Sequence, residues 1–202
     1  MATDPEGPVL RPGRGRRPAD QVRAVVLDAA AGQLFEAGLP AVTFEKVAAR
    51  AGVSKMTLYK WWPSPGALAL DAYARAVQPT LAFPETGDLA ADLRTQLLAF
   101  TRLLSDARSG PVIAGLVGAA QTDPDLAASF ATYYTRPRRR LAVDRLTSAR
   151  ERGQVRADVD LEAVVDQLWG ACYHRLLLPD APLDAAFVDA LLGNLLRGIA
   201  PW

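Results

Sequence analysis

Between Ser54 and Trp61 the chain sets out two hydroxyls, two ammonium groups, a thioether, a phenol and an indole, as Ser54-Lys55-Met56-Thr57 followed by Tyr59-Lys60-Trp61. Thr43 adds a further hydroxyl upstream. Most of these groups donate hydrogen bonds and none is a carboxylate, which suits phosphate oxygens and the acceptor edges of bases. A lysine can donate to guanine O6 or N7, a methionine can meet a thymine methyl, and phenol, ammonium and indole groups can each donate to phosphate. Reactive side chains elsewhere are sparse. With one cysteine, Cys172, and one histidine, His174, a metal site would need carboxylates for all its other ligands. His174 could be paired with Asp166 or Asp180, but no nucleophile motif, glycine-rich phosphate loop or metal-ligand spacing accompanies them. Neither catalysis nor a cofactor is expected.

Two short helices must carry the donor set. Thr43 is placed to cap the first, with Glu45 in its first turn and Val42 and Val47 as a hydrophobic staple. Ser54 repeats the arrangement for the second, with Val53 and Leu58 as the staple. Gly52 lies in the tight turn between them, the pattern of a helix-turn-helix. Taking Leu58 as inward and stepping about 100° per residue, Ser54 and Trp62 fall on the inner side. Met56 and Lys60 then point outward, Thr57 and Tyr59 lie on the flanks, and Lys55 stands at the helix start, where a recognition helix meets base edges. Thr43, at an exposed helix N-terminus, can offer its hydroxyl and backbone amides to a phosphate.

The chain's 202 residues are half apolar and 22% charged, an ordinary balance for a globular protein. Net charge is only +1, but residues 11–62 hold nine Lys/Arg against four Asp/Glu, and all three lysines lie between Thr43 and Trp62. No apolar run approaches the ~20 residues of a membrane span, and no apolar segment follows the N-terminal charges, so neither a membrane anchor nor a signal peptide is expected. A lone cysteine suits a cytoplasmic protein.

Residues 1–19 are rich in Pro, Gly and Arg and lack periodicity; Arg11, Arg14, Arg16 and Arg17 make them either a solubilising tail or a basic arm. Asp20 is expected to cap a helix to about Ala37, ended by Gly38. After Trp62, Ser64 caps a fourth helix with Pro65 at its first position, and a domain boundary is expected near residue 80, dividing 20–80 from 81–202. Further helices are expected over 88–106, 110–121, 123–152, 160–178 and from Asp184 onward, with Pro137 kinking or breaking the long one. No segment sustains strand alternation. The expected fold class is all-α, with about nine helices.

Thr43…Val47-Ala48…Ala51-Gly52-Val53-Ser54-x-x-Thr57-Leu58-Tyr59…Trp62…Ser64…Leu68 resembles the N-terminal DNA-binding domain of the TetR/AcrR family of transcriptional regulators over about residues 20–70. The resemblance implies a three-helix helix-turn-helix domain followed by a helical domain for ligand binding and dimerisation. It also implies a homodimeric repressor of double-stranded DNA, released by a small-molecule effector. Protein two-fold symmetry would make the operator palindromic. Its DNA contacts would then draw on Arg14, Arg16, Arg17, Thr43, Ser54, Lys55, Met56, Thr57, Tyr59, Lys60 and Trp61. Where relatives commonly carry Lys-Glu after the cap of the fourth helix, this chain has Pro65-Gly66, which removes one expected phosphate contact.

The last two helices are candidates for a dimer interface through Leu168, Leu191, Leu192, Leu195 and Leu196, with Ala185, Ala190 and Gly193 permitting close approach. A ligand pocket would draw on Phe100, Leu104, Phe130, Tyr133, Tyr134, Trp169, Tyr173 and His174; ordinary core packing is the competing reading of each. Such a set suits a hydrophobic or aromatic effector. The run Arg136-Pro137-Arg138-Arg139-Arg140 reads either as an attraction for an anionic ligand or as a solvated helix face.

Overall fold

The computed structural model describes residues 18–199, and the arginine-rich stretch holding Arg11, Arg14, Arg16 and Arg17 lies outside them. Helix α1 spans Ala19–Ala37, α2 Phe44–Ala51, α3 Lys55–Trp61 and α4 Pro65–Val77. Then come α5 (Leu89–Ser105), α6 (Ser109–Ala120), α7 (Pro124–Phe130), α8 (Arg136–Glu151), α9 (Leu161–Leu177) and α10 (Ala185–Ile199). A π-helical segment, Ala131–Thr135, joins α7 to α8 without a break, so the described residues form nine α-helical runs and no strand.

The capping residues expected from the sequence mostly do that work. Thr43 Oγ1 accepts from the Lys46 amide at 3.3 Å, Ser54 Oγ from Thr57 at 3.3 Å and Ser64 Oγ from Ala67 at 3.1 Å. Asp88, Asp123, Asp160 and Asp184 cap α5, α7, α9 and α10 likewise. Asp20 does not. Helix α1 starts two residues earlier than a cap at Asp20 would give, with extended Pro18 flanking it and the Pro18 carbonyl accepting from Val22 at 3.1 Å. Asp20 therefore sits inside the first turn, where its charge faces the positive helix end without capping it. Gly52 closes α2 at φ 66°, a left-handed conformation that a side chain would oppose.

Pro137 does not break the long helix. It occupies the first turn of α8, and the disturbance falls on the five residues before it. A proline lacks an amide and crowds the carbonyl four residues back, here Tyr133; the wider π turn accommodates both.

Helix α4 packs on α1 along one side and on α7 and the π segment along the other, while α2 rests on α1 and α3 on α2. Leu34, Val47, Leu58, Trp62, Leu68, Leu70 and Tyr73 form the buried centre of that first group. Helices α5 and α10, α5 and α6, and α8 and α9 form the remaining principal contacts, around Leu93, Leu97, Ile113, Leu116, Leu146, Cys172 and Val188. Burial pushes the Cys172 thiol up to about 12, leaving it protonated and unreactive at neutral pH. Gly110 fixes the α5–α6 corner: a Cβ there would lie 2.3 Å from the Leu104 carbonyl oxygen, too close for any side chain.

Two residues expected at a dimer interface are already used within the chain. Leu168 and Leu192 are each 4% exposed and belong to this subunit's own core, because their stripes face α9's and α10's neighbours rather than outward. Leu191, Leu195 and Leu196 are half-buried at the edge of that core.

Candidate functional site

The exposed face of α3 is held from behind by a buried indole. Trp62 Nε1 donates to Asp71 Oδ2 at 2.9 Å, Arg23 pairs with the same carboxylate, and the Arg23 guanidinium lies 4.9 Å from the Trp62 ring centroid. Residues from α1, the end of α3 and α4 thus meet at one carboxylate, which fixes how α3 projects. The Trp61 ring stands edge-on to Trp62 at 5.6 Å, and Tyr59 packs edge-on against buried Phe44 at 4.7 Å, tying α3 to α2. Met56 is 75% and Tyr59 56% exposed, Ser54, Lys55 and Lys60 are also exposed, and Thr43, Thr57 and Trp61 are half-buried. Every donor singled out by spacing that lies among the described residues is thus exposed or half-buried at the surface of α3 or the start of α2.

That surface is partly occupied with itself. Lys55 Nζ donates to Glu45 Oε1 at 2.9 Å, and Ser54 Oγ and Thr57 Oγ1 share a 3.0 Å hydrogen bond. The Lys55 hydrogen bond and charge hold the Glu45 carboxyl below the usual carboxylate range, and Glu45 raises Lys55 in turn. Both groups are fully solvated, so the pair is a weak tether. Lys60 has no carboxylate within 4 Å among the described residues. The tether escaped sequence reasoning because Glu45 and Lys55 lie on different helices and meet only through the turn at Gly52. Gly66, the unusual residue at the start of α4, faces the start of α7: a Cβ there would lie 3.5 Å from Leu126 Cδ2 and 3.6 Å from Asp123 Oδ2.

A second feature lies across α4. A cavity of about 220 Å³ opens among α5, α6, the end of α7, the π segment, α8 and α9, walled by Phe100, Phe130, Tyr134, Trp169 and Tyr173 together with Gln96, Val117, Thr135, Arg138 and Leu177. The other three aromatic-cluster candidates stand elsewhere. Leu104 is spent in the core at 3% exposure, Tyr133 faces a more open cleft between α4 and α8, and His174 points to solvent. The helical period explains the split: Tyr133 and His174 are each one residue from a cavity-lining tyrosine and so project onto another face.

The cavity's rings are arranged edge to face. Phe100 and Tyr173 lie 5.7 Å apart at 71°, and Phe130 and Tyr134 5.3 Å apart at 69°. From Tyr134 the aromatic contact continues to Tyr73 of α4 at 5.9 Å and on to Phe35 of α1 at 6.0 Å. The Tyr73 and Tyr134 hydroxyls are buried without a hydrogen-bond partner among the described residues. Burial raises the Tyr73 and Tyr173 phenols well above their ordinary range, while the Arg138 charge pulls both the other way. Arg138 Cζ lies 4.3 Å from the Tyr134 ring centroid. Of the lining residues missed from sequence, Gln96 carried a legible signal: it sits in the inward stripe of α5, three residues after Leu93 and four before Phe100.

Comparison with known proteins bears on both features. Residues 26–72 match the family described as bacterial regulatory proteins, tetR family, and residues 83–195 match the tetracyclin repressor-like C-terminal domain. The chain is 34% identical over 186 residues to the HTH-type transcriptional regulator YdeS of Bacillus subtilis, covering 92% of this chain and 93% of that one. It is 33% identical over 162 residues to the HTH-type transcriptional regulator AqdR of Rhodococcus erythropolis, covering 78% and 72%. The crystal structure of the TetR family transcription regulator SCO0332 superposes with a TM-score of 0.82 at 57% identity, covering 90% of this chain and all of that one.

Proposed function

The chain belongs to the TetR family of helix-turn-helix transcriptional regulators, and on that premise we propose that it is a dimeric repressor, released from a palindromic operator by a small apolar ligand. The observation that carries this reading is the placement of two unlike surfaces on either side of α4. An exposed donor face stands on α3, and an aromatic cavity lies beyond the π segment that packs against α4. In this reading residues 20–80 bind DNA and 81–202 bind the ligand and the second subunit. Lys55 reads a base edge, Thr57, Tyr59, Lys60, Trp61 and Thr43 meet phosphates, and Met56 shapes the groove contact. The arginines of residues 1–19 follow the backbone or enter the minor groove.

For the dimer, Leu191, Leu195 and Leu196 remain available on α10, beside the exposed small residues Ala186 and Ala190. Two helices from each subunit would form a four-helix bundle. Among the described residues no helix is long and apolar enough to cross a membrane.

The test is selection of bound sequences from random duplex DNA, followed by binding to the selected site at two salt concentrations. A palindromic consensus and an affinity that falls steeply with salt are expected. An asymmetric consensus would count against the dimer, and salt-independent binding against the phosphate contacts. A DNA-binding dimer without an effector is the competing reading. It prevails if no compound entering the cavity changes DNA affinity.

A further inference from the structure

The cavity's lining is not uniformly apolar, and its exceptions specify a ligand. Gln96 is 4% exposed, lines the cavity and has no hydrogen-bond partner among the described residues. Neither of its amide atoms is sealed away without a partner, as the Tyr134 hydroxyl is, so the amide is reachable and offers a hydrogen bond to whatever enters the aromatic wall. Arg138 lines the same cavity, and no carboxylate lies within 4 Å of its guanidinium among the described residues. Its guanidinium lies 4.3 Å from the Tyr134 ring centroid, and the residue also borders the more open cleft that Asp71 and Arg75 help to line. Its neighbour in the arginine run, Arg139, by contrast, is paired to both Glu162 and Asp166. No acidic residue is among the ten that wall the cavity.

Four of the lining rings stand in two edge-to-face pairs, and their edges and faces complement a flat, apolar body. A guanidinium lacking an anion stands on its wall together with an amide lacking a partner. We infer that the cavity takes a planar aromatic acid, its carboxylate on Arg138, its ring system between the Phe100–Tyr173 and Phe130–Tyr134 pairs, and a hydrogen bond to Gln96. This rests on the proposal that the cavity is an effector site and sharpens it from an apolar ligand to an apolar anion. A planar, bidentate guanidinium–carboxylate contact in a partly desolvated wall is worth more than the same contact in water. The cavity's size limits the body to about two fused rings.

The probes are 2-naphthoate, its neutral counterpart 2-naphthamide, and octanoate as a flexible acid, each titrated calorimetrically into the full-length protein and into R138Q, R138K and Q96L variants. Wild type is expected to bind naphthoate at least about tenfold more tightly than naphthamide and more tightly than octanoate. R138Q should bring acid and amide to equal affinity, R138K should retain part of the preference, and Q96L should weaken naphthoate and naphthamide alike. Equal or tighter binding of the amide, a preference untouched by R138Q, or no binding of naphthoate at millimolar concentration would each overturn the inference. If R138Q does not fold, the wild-type comparison and R138K decide the matter. The same probes added to the complex with selected DNA separate this inference from the reading beneath it. Naphthoate that binds as expected but leaves DNA affinity unchanged defeats the effector reading alone. Release of DNA by the neutral probe in preference to the acid defeats the anion assignment alone.

Discussion

The α3 face and the α5–α9 cavity are both collections of polar and aromatic side chains, yet they solve opposite problems. On α3 the donors stand in water, and what matters is that their backs are rigid: Trp62 is 1% exposed and locked to Asp71. In the cavity Phe100 and Tyr134 are buried and Phe130, Trp169 and Tyr173 half-buried, and what matters is that the packing stops short, leaving a void beside Trp169 and Tyr173. Rigidity behind an exposed face and looseness inside a buried one follow from what each must meet. DNA comes as a stiff surface of fixed geometry, whereas a small molecule must be surrounded.

The largest effect that could break this contrast is on stability. Trp62→Ala should cost about 3–5 kcal/mol, since it empties a filled site and strands Asp71 with Arg23 alone. Trp169→Ala, at a wall that already borders empty space, should cost about 1–2 kcal/mol. Thermal and urea melts of both variants check this; equal losses would mean that the cavity wall is ordinary core.

Next in size are the lysines. Lys55→Ala should reduce discrimination between selected and random DNA by about tenfold or more. Lys60→Ala should weaken all sequences similarly and lower the salt slope by about one. Parallel loss of specific and non-specific binding in both variants would erase the division of roles along α3.

A smaller, few-fold effect is expected from Glu45→Gln, which frees Lys55 from its tether and should tighten DNA binding. The tether is also pH-dependent. Glu45's folded pKa is depressed, so the pair's contribution is fully present above the unfolded carboxylate value and is lost as pH falls through the lower folded one. Carboxylate chemical shifts followed by NMR through the acid range, in wild type and in Lys55→Ala, measure the displacement, which should shrink in the variant to the part held by the backbone hydrogen bond at Glu45.

Smallest of all is the difference between two helix starts. Ser54→Ala removes a true cap and should cost about 1 kcal/mol, whereas Asp20→Ala should cost only a few tenths, as a charge near a helix end. Equal losses in urea melts would show that Asp20 caps α1 in solution.

What was legible in the sequence follows from the range of the interaction. Caps at Thr43, Ser54, Ser64, Asp88, Asp123 and Asp160 act over three residues and were readable with the helices they begin. Asp20 misled because Pro18 supplies the flanking geometry two residues earlier. The π segment was half legible: Pro137 announced a disturbance, but whether it appears as a kink or a widened turn depends on what α4 packs against. The donor face of α3 followed from helical period alone. The cavity did not, because a void is a relation among six segments, and periodicity cannot distinguish Tyr134, which lines it, from Leu104, which fills the core. The pairing of Lys55 with Glu45 and the isolation of Arg138 needed the third dimension for the same reason.

The corner at Gly110 has a consequence for how this chain can drift under mutation. Helix α6 carries three glycines, and a methyl group added at Gly115 or Gly118 would meet nothing within 4 Å, whereas one at Gly110 would collide with main chain. Two of these positions are therefore open ground, where exchange to alanine would favour the helix. The third is closed to every other amino acid unless α5 and α6 part. Sequences descended from this one should vary freely at the first two sites and remain unchanged at the third, so that a single backbone oxygen, that of Leu104, governs which substitutions this stretch of the gene can accept.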